Sequence, residues 1–298
     1  MPAQTGLHRA RSCVAAAVLM VLVSTQADAA PATFNTALPV SEGHVVVRQQ
    51  IIVAEADRGS DRLEERTLET VGGYGLTPDL ALFVAVPWAD RELHAAFAGK
   101  RSVAGFGDVR AFARYTLIQR DRNGQTLRLA PFVGVELPTG KDSAADELGQ
   151  LPPGLQPGSG SLDLVGGVVG SIASIDWNLD AQLAWQENRE AGLQAQGDVF
   201  RADLSVQKRL LPAAIHAGTR GFLFGGLELN YLDQRRSRLA GVPIPGTAGE
   251  RLFISPVLQY SQRRWMAEAA LQIPVTQSLD QSNFSQDFVL RFGVRANI

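Results

Sequence analysis

The chain closes on Phe288-Val289-Leu290-Arg291-Phe292-Gly293-Val294-Arg295-Ala296-Asn297-Ile298, and the reading of these residues decides the fold. Successive side chains of a strand point to opposite faces. Phe288, Leu290, Phe292, Val294, Ala296 and Ile298 therefore share one face, while Arg291, Gly293, Arg295 and Asn297 share the other. One side is greasy and the other wet and cationic, as in a sheet that separates an apolar phase from water.

Residues 1–29 read as an export leader, with Arg9 and Arg11 as a positive start, Val14 to Val23 as the apolar run and Ala27-Asp28-Ala29 as a small-residue cleavage site. The sequence divides at that point into a signal peptide, 1–29, and one domain, 30–298. The single cysteine, Cys13, falls within the leader, so the exported part would have no disulfide, thiolate metal site or thiol nucleophile. With 28 basic and 30 acidic residues the chain has no charge excess of the kind nucleic acid selects. No cofactor or metal motif is present either.

After residue 30 nothing approaches the ~20 continuous apolar residues of a membrane helix. An exported chain lodged in a membrane must then be a closed barrel, because only helices and closed sheets satisfy every backbone group in lipid. Alternation predicts about twelve strands: 44–56, 64–76, 80–92, 107–119, 126–137, 161–173, 176–188, 197–209, 219–233, 250–260, 264–275 and 286–298. Thr77-Pro78-Asp79, Asp121-Arg122-Asn123-Gly124, Ser174-Ile175, Gln262-Arg263 and the longer Leu211 to Gly218 link them on one side. On the other side fall the longer polar segments 57–63, 93–106, 138–160, 189–196, 234–249 and 276–285.

This rhythm predicts an all-β, transmembrane, antiparallel up-and-down β-barrel of the bacterial outer membrane, with short turns in the periplasm. Its last strand should pair with its first, so that no edge faces lipid. A secreted β-sandwich also alternates and is the competing fold. Strand length and aromatic placement argue against it: Trp88, Trp177, Trp185, Tyr231, Tyr260 and Trp265 fall near strand ends in register with the apolar face, as membrane girdles require. The partners implied are outer-membrane lipid, the barrel assembly machinery and a small-molecule solute.

The opposite faces collect lumen candidates Arg48, Arg110, Arg114, Arg128, Arg201, Arg291 and Arg295, with Glu69, Glu136, Asp180, Asp203, Glu228 and Glu268 as counter-charges. A paired network keeping the interior solvated is the favoured reading; an arginine ladder selecting anions is the sharper one. Phe83, Phe112, Phe132, Phe222, Phe224 and Phe253 also point inward. They form either a track for a hydrophobic or aromatic solute or packing against a loop or the segment 30–43.

Three stretches complete the reading: Gly105-Phe106-Gly107-Asp108-Val109 leading to Arg114-Tyr115, Leu137-Pro138-Thr139-Gly140-Lys141-Asp142, and Gly158-Ser159-Gly160-Ser161-Leu162-Asp163. In order and spacing they resemble the outer-membrane barrel family labelled "MetA-pathway of phenol degradation", over a core of residues 70 to 175. The resemblance implies a transporter of small hydrophobic or aromatic compounds and brings no catalytic residues. The chain departs from the terminal Phe common among such barrels, ending in Ile298. On their own chemistry Gly105, Gly107, Pro138 and Gly140 read as turn residues, and Asp108, Asp142 and Asp163 as solvated rim carboxylates rather than a cation site.

The function expected is thus a channel or transporter, not an enzyme. A phospholipase-like barrel would need a Ser/His pair, and His44, His94 and His216 lie apart from any persuasive nucleophile. A structural or adhesive barrel binding a partner through its loops, 138–160 above all, is the third reading.

Overall fold

The computed structural model describes residues 29–298 apart from Ala98, Ala217 and Ser282; the expected leader, 1–28, lies outside the described residues. The strands are β1 Val45–Arg58, β2 Asp61–Gly75, β3 Leu80–Ala95, β4 in three pieces (Gly99–Phe106, Val109–Tyr115 and Ile118–Arg122), β5 Gln125–Leu137 and β6 Asp163–Ser174. They continue as β7 Trp177–Glu187, β8 Val199–Leu211, β9 Gly221–Gln234, β10 Gly249–Gln262, β11 Trp265–Leu279 and β12 Ser285–Asn297. Each pairs antiparallel with its chain neighbours, and β12 closes the ring on β1 from Val46↔Asn297 to Asp57↔Ser285. All twelve expected strands are present, and the terminal strand meets the first as its alternation requires.

Two expected loops are corrected. Segment 57–63 is a hairpin whose strands meet at the tight turn Gly59-Ser60, with Gly59 at φ 62°, and 93–106 is mostly strand. Their charges pair in place: Arg58 lies 3.0 Å from Asp61, and Arg62 lies 3.2 Å from Asp57. Polarity there marks a hairpin wet on both faces, not a break in pairing. The expected strand 107–119 is also corrected. It is interrupted at Gly107-Asp108 and Thr116-Leu117, so Gly99–Phe106 pairs with β3 and Ile118–Arg122 with β5.

The burial pattern inverts that of a soluble protein. Leu82, Val84, Leu183, Leu204, Val206, Leu227, Leu258, Phe292 and Val294 are exposed on the outside, while the largest fully buried side chains include Gln50, Gln207, Gln259, Glu228 and Asn230. A sandwich would bury the leucines and expose the amides. Only lipid outside and a polar lumen inside make this arrangement favourable.

Aromatic residues form two belts. Trp177, Tyr260 and Trp265 lie at the short-turn end, the last two with ring centres 5.6 Å apart. Trp185 and Tyr231 lie toward the long-loop end, each 6.4 Å from Phe200 between them, and Trp88 sits in register with Phe106. The two belts flank the exposed apolar band at its two ends. The chain is an outer-membrane β-barrel, and the short-turn end is its periplasmic side.

Candidate functional site: a plugged and lidded lumen

Residues 30–41 carry no charge, and residues 29–41 fold back into the barrel as a U-shaped plug that bends at 32–34. Its backbone has no strand to pair with, so inward side chains take that place. Asn178 Nδ2 donates to the Ala29 carbonyl at 2.9 Å and Gln207 Nε2 to the Ala30 carbonyl at 3.1 Å. At the bend Glu228 accepts the amide N–H groups of Ala32 (2.8 Å) and Thr33 (3.1 Å), and the Thr33 hydroxyl as well. Arg48 and Gln50 donate to the Ala32 carbonyl at 2.6 and 2.8 Å.

The returning limb is held on the opposite wall. The Thr36 hydroxyl donates to Asp180 at 3.0 Å, the Ala37 amide to the Ser171 hydroxyl at 2.8 Å, and Arg114 to the Thr36 and Leu38 carbonyls at 2.5 and 2.7 Å. The limb leaves the barrel beside Gly75, where a Cβ would lie 2.2 Å from the Ser41 carbonyl oxygen. Buried polar groups are costly unless paired, so these hooks are what keep an uncharged chain inside a polar lumen.

Above the plug, loop 138–162 folds inward over the mouth. Its ends cross at Gly140 and Gly158, where a Cβ on Gly158 would lie 2.5 Å from the Gly140 carbonyl carbon. Asp108 clamps both ends, accepting from the amides of Gly140 (2.8 Å) and Ser159 (2.6 Å) and from the Ser159 hydroxyl (2.8 Å). Leu151 and Leu155 bury against Leu93, and Arg101 holds Asp146 through two bonds of 2.8 Å. Gly107 shares this close approach, since a Cβ there would lie 3.0 Å from the Pro157 carbonyl oxygen and 3.1 Å from Pro87 Cγ; Gly105 has ordinary room, and Gly160, at φ 74°, is the motif glycine with left-handed backbone.

Beside the plug runs a cavity of about 490 Å³, lined from Gln186 and Val199 on the loop side to His44 and Asn297 at the turn-side rim. One wall is an aromatic strip: Phe83 and Phe112 stack at 4.8 Å, and Phe112 meets Phe132 edge-on at 6.1 Å. The strip continues through Val165 and Ala184. Six arginines line the cavity, Arg48, Arg110, Arg114, Arg201, Arg291 and Arg295, against one carboxylate, Glu69.

The profile of the family described as "Putative MetA-pathway of phenol degradation" matches residues 42–286. The chain belongs to this family. Among solved structures, an outer membrane channel from Pseudomonas putida is similar at a TM-score of 0.62 and 14% identity, covering 91% of this chain and 100% of that one. The β domain of the Bordetella autotransporter BrkA reaches a TM-score of 0.48 at 12% identity, over 87% of this chain and 100% of that one. The first similarity establishes the fold; no curated protein matches the sequence.

In this member of the phenol-degradation family the other inward residues do different work. Glu268 pairs with Arg48 at 2.6 Å and with Arg295 at 3.9 Å; Arg110 pairs with Glu136 and donates to the Gln186 side-chain Oε1 at 3.3 Å. Asp203 accepts from Gln182 (3.1 Å), Asn230 (2.9 Å) and Arg201 (3.4 Å). Arg128 pairs with Asp121 at 2.6 Å, away from the cavity. Phe222 and Phe224 form a separate pair at 6.4 Å, and Phe253 is buried on β10, so the six phenylalanines make one strip of three, one pair and one apart.

The rim carboxylates do not converge. Asp108 clamps the lid, Asp163 accepts the Arg189 amide at 2.8 Å, and Asp142 lies by Gly160. Among the described residues no group of His, Cys, Asp and Glu could hold a metal ion. His94 pairs with Glu92 at 2.6 Å on an outer hairpin, and His44 bonds the Glu42 carbonyl. Alternation turns Asn178 and Gln207 inward, but nothing in the sequence marks them, or Gln50, Asn230 and Gln259, as hooks for the plug. The lack of charge in residues 30–41 is the one sequence feature that suits that role.

Proposed function

We propose that this barrel is a transporter that passes small hydrophobic or aromatic molecules across the outer membrane along the cavity between plug and wall. The observation that carries the reading is the Phe83–Phe112–Phe132 strip, which faces that cavity rather than lipid. Membrane barrels gain nothing from aromatics in a water-filled lumen, whereas ligand sites combine an apolar wall with a few polar groups. Lid and plug narrow the path, so bulk hydrophilic solutes pass poorly. Family membership and the fold shared with a channel of Pseudomonas putida support the same reading. Insertion through the barrel assembly machinery belongs to this proposal, with Phe288, Leu290 and Phe292 as the apolar face of the terminal strand.

The test is entry of N-phenyl-1-naphthylamine into liposomes with a lipopolysaccharide outer leaflet, which slows unassisted passage of apolar solutes. Barrel-containing vesicles should take it up faster than empty ones, and Phe112→Ala should reduce the gain. Equal rates with a folded barrel would remove the transport reading.

A further inference from the structure

The arginines of the lumen fall into two tiers. The lower ones are committed to the plug: Arg114 to the carbonyls of Thr36 and Leu38, and Arg48 to Ala32 and Glu268. In the upper tier Arg201 and Arg291 are only partly used. Arg291 donates through Nε to Gln272 at 2.8 Å, and among the described residues its two terminal nitrogens have no hydrogen-bond partner. Arg201 reaches Asp203 with one nitrogen at 3.4 Å, and its buried Nε has no partner.

These two guanidiniums sit where the apolar wall ends. Arg201 pairs in register with Ala184, the last member of the strip that begins at Phe112 and Phe132. Arg291 faces the same cavity from β12. Glu268 answers Arg48 and Arg295 and Glu136 answers Arg110, whereas among the described residues Arg291 has no carboxylate in reach and Arg201 has only Asp203 at 3.4 Å, so this pair keeps spare donors for an anion. A guanidinium fork matches a carboxylate in two parallel bonds, and the body behind such a head would lie along the aromatic strip.

We infer that the cavity takes amphipathic carboxylates: molecules with one aryl or alkyl body for the Phe112–Phe132 wall and one carboxylate head for Arg201 and Arg291. This deepens the transport reading and rests on it. The paired network expected from the sequence is present around Arg48, Arg110, Arg128, Arg201 and Arg295, each beside a carboxylate, while Glu228 and Asp180 hold the plug and leave Arg291 without a carboxylate partner among the described residues. A cavity of about 490 Å³ also suits a small molecule of this kind.

The experiment compares benzoate with benzamide, its neutral counterpart of nearly the same shape, by calorimetric titration of the purified full barrel in detergent. Benzoate should bind about tenfold or more tightly than benzamide, the ratio that one charge-assisted hydrogen bond supplies. The double substitution Arg201→Gln with Arg291→Gln should erase that preference by weakening benzoate binding toward that of benzamide, while Arg201→Lys with Arg291→Lys should keep part of it. Heat-modifiable migration on gels checks that each variant is folded. Equal binding of the two ligands, a preference that survives in the glutamine variant, or no binding of either would overturn the inference. Uptake of N-phenyl-1-naphthylamine is scored separately: uptake without a benzoate preference leaves the transport reading standing, and its absence removes that reading too.

Discussion

Glu228 on β9 accepts the amide proton of Ala32 at 2.8 Å, tying together residues 196 positions apart in the chain at the bend of the plug. The carboxylate also takes the Thr33 amide at 3.1 Å and the Ser205 hydroxyl at 3.2 Å, so a single side chain links plug to wall. Removing it leaves two buried amides without an acceptor, a cost of about 1–3 kcal/mol per group. Glu228→Ala should therefore raise the fraction of time the plug is unseated by ~10-fold or more. Single-channel recording in planar bilayers would show long high-conductance events absent from the wild type. Glu228→Gln, which keeps an acceptor, should fall between the two. An unchanged current distribution in Glu228→Ala would mean that Glu228 does not hold the plug.

The lid carries a pH dependence with a defined sign. The Arg101 guanidinium, the largest influence on Asp146, holds its carboxyl below the ordinary value of 3.8, while desolvation opposes the shift. A carboxyl with a lowered value in the folded state stabilises the contact above its unfolded value, and that stabilisation is lost as pH falls through the folded value. Lid docking should stay constant from neutral pH down to about 4 and loosen only below the ordinary 3.8. A spin label on Leu148→Cys, beside the contact, should gain mobility in that acidic window alone. Arg101→Ala should be mobile throughout, and a gain already between pH 7 and 5 in the wild type would contradict the assignment.

The membrane face predicts its own response to charge. Leu204 is exposed midway along β8, in register with Ala181 and Leu229 on its neighbours. Leu204→Arg should destabilise the barrel in phosphatidylcholine bilayers by ~2–4 kcal/mol, the range for a cation near the midplane. Ser205→Ala, one residue on and facing inward, should cost only ~0.5–1.5 kcal/mol through its lost bond to Glu228. Reversible urea unfolding reads both. Comparable losses would put Leu204 outside the lipid band.

The barrel was legible because alternation is a local property written into every strand. Phe292 and Val294 face outward and Arg291 and Arg295 face the lumen, as two-residue periodicity dictates. Register followed from the same constraint, since a one-residue slip would turn the arginines of β12 into lipid. What escaped was non-local. Gln50, Gln207 and Gln259 looked like ordinary lumen polarity, and nothing adjacent to them in the chain announces that they hold Ala30 and Ala32. The outer hairpins misled for the opposite reason: above the membrane both faces of a strand are wet, so periodicity carries no signal at Arg62 or Glu64. At Asp108 the carboxylate was visible, but its partners Gly140 and Ser159 offer only backbone and hydroxyl groups that any loop contains.

Gly134 links the architecture to the aromatic strip and supports a final prediction. It stands opposite Phe112 in the β4–β5 register, and a Cβ there would lie 2.3 Å from the Ala111 carbonyl oxygen and 2.4 Å from the Phe112 Cβ. The obstruction is mostly backbone, so no rotamer change relieves it; β4 must move away from β5 and carry Phe112 with it. Gly134→Ala should cost ~1–3 kcal/mol in urea unfolding, as overpacking does. It should also reduce N-phenyl-1-naphthylamine uptake, because the shift separates Phe112 from Phe132. Gly170→Ala is the control: the nearest atom to its added Cβ is Leu129 Cδ1 at 3.6 Å, an ordinary contact, so stability and uptake should both stay near wild type. Equal behaviour of the two variants would show that the strand separation at Gly134 does not set the position of the strip.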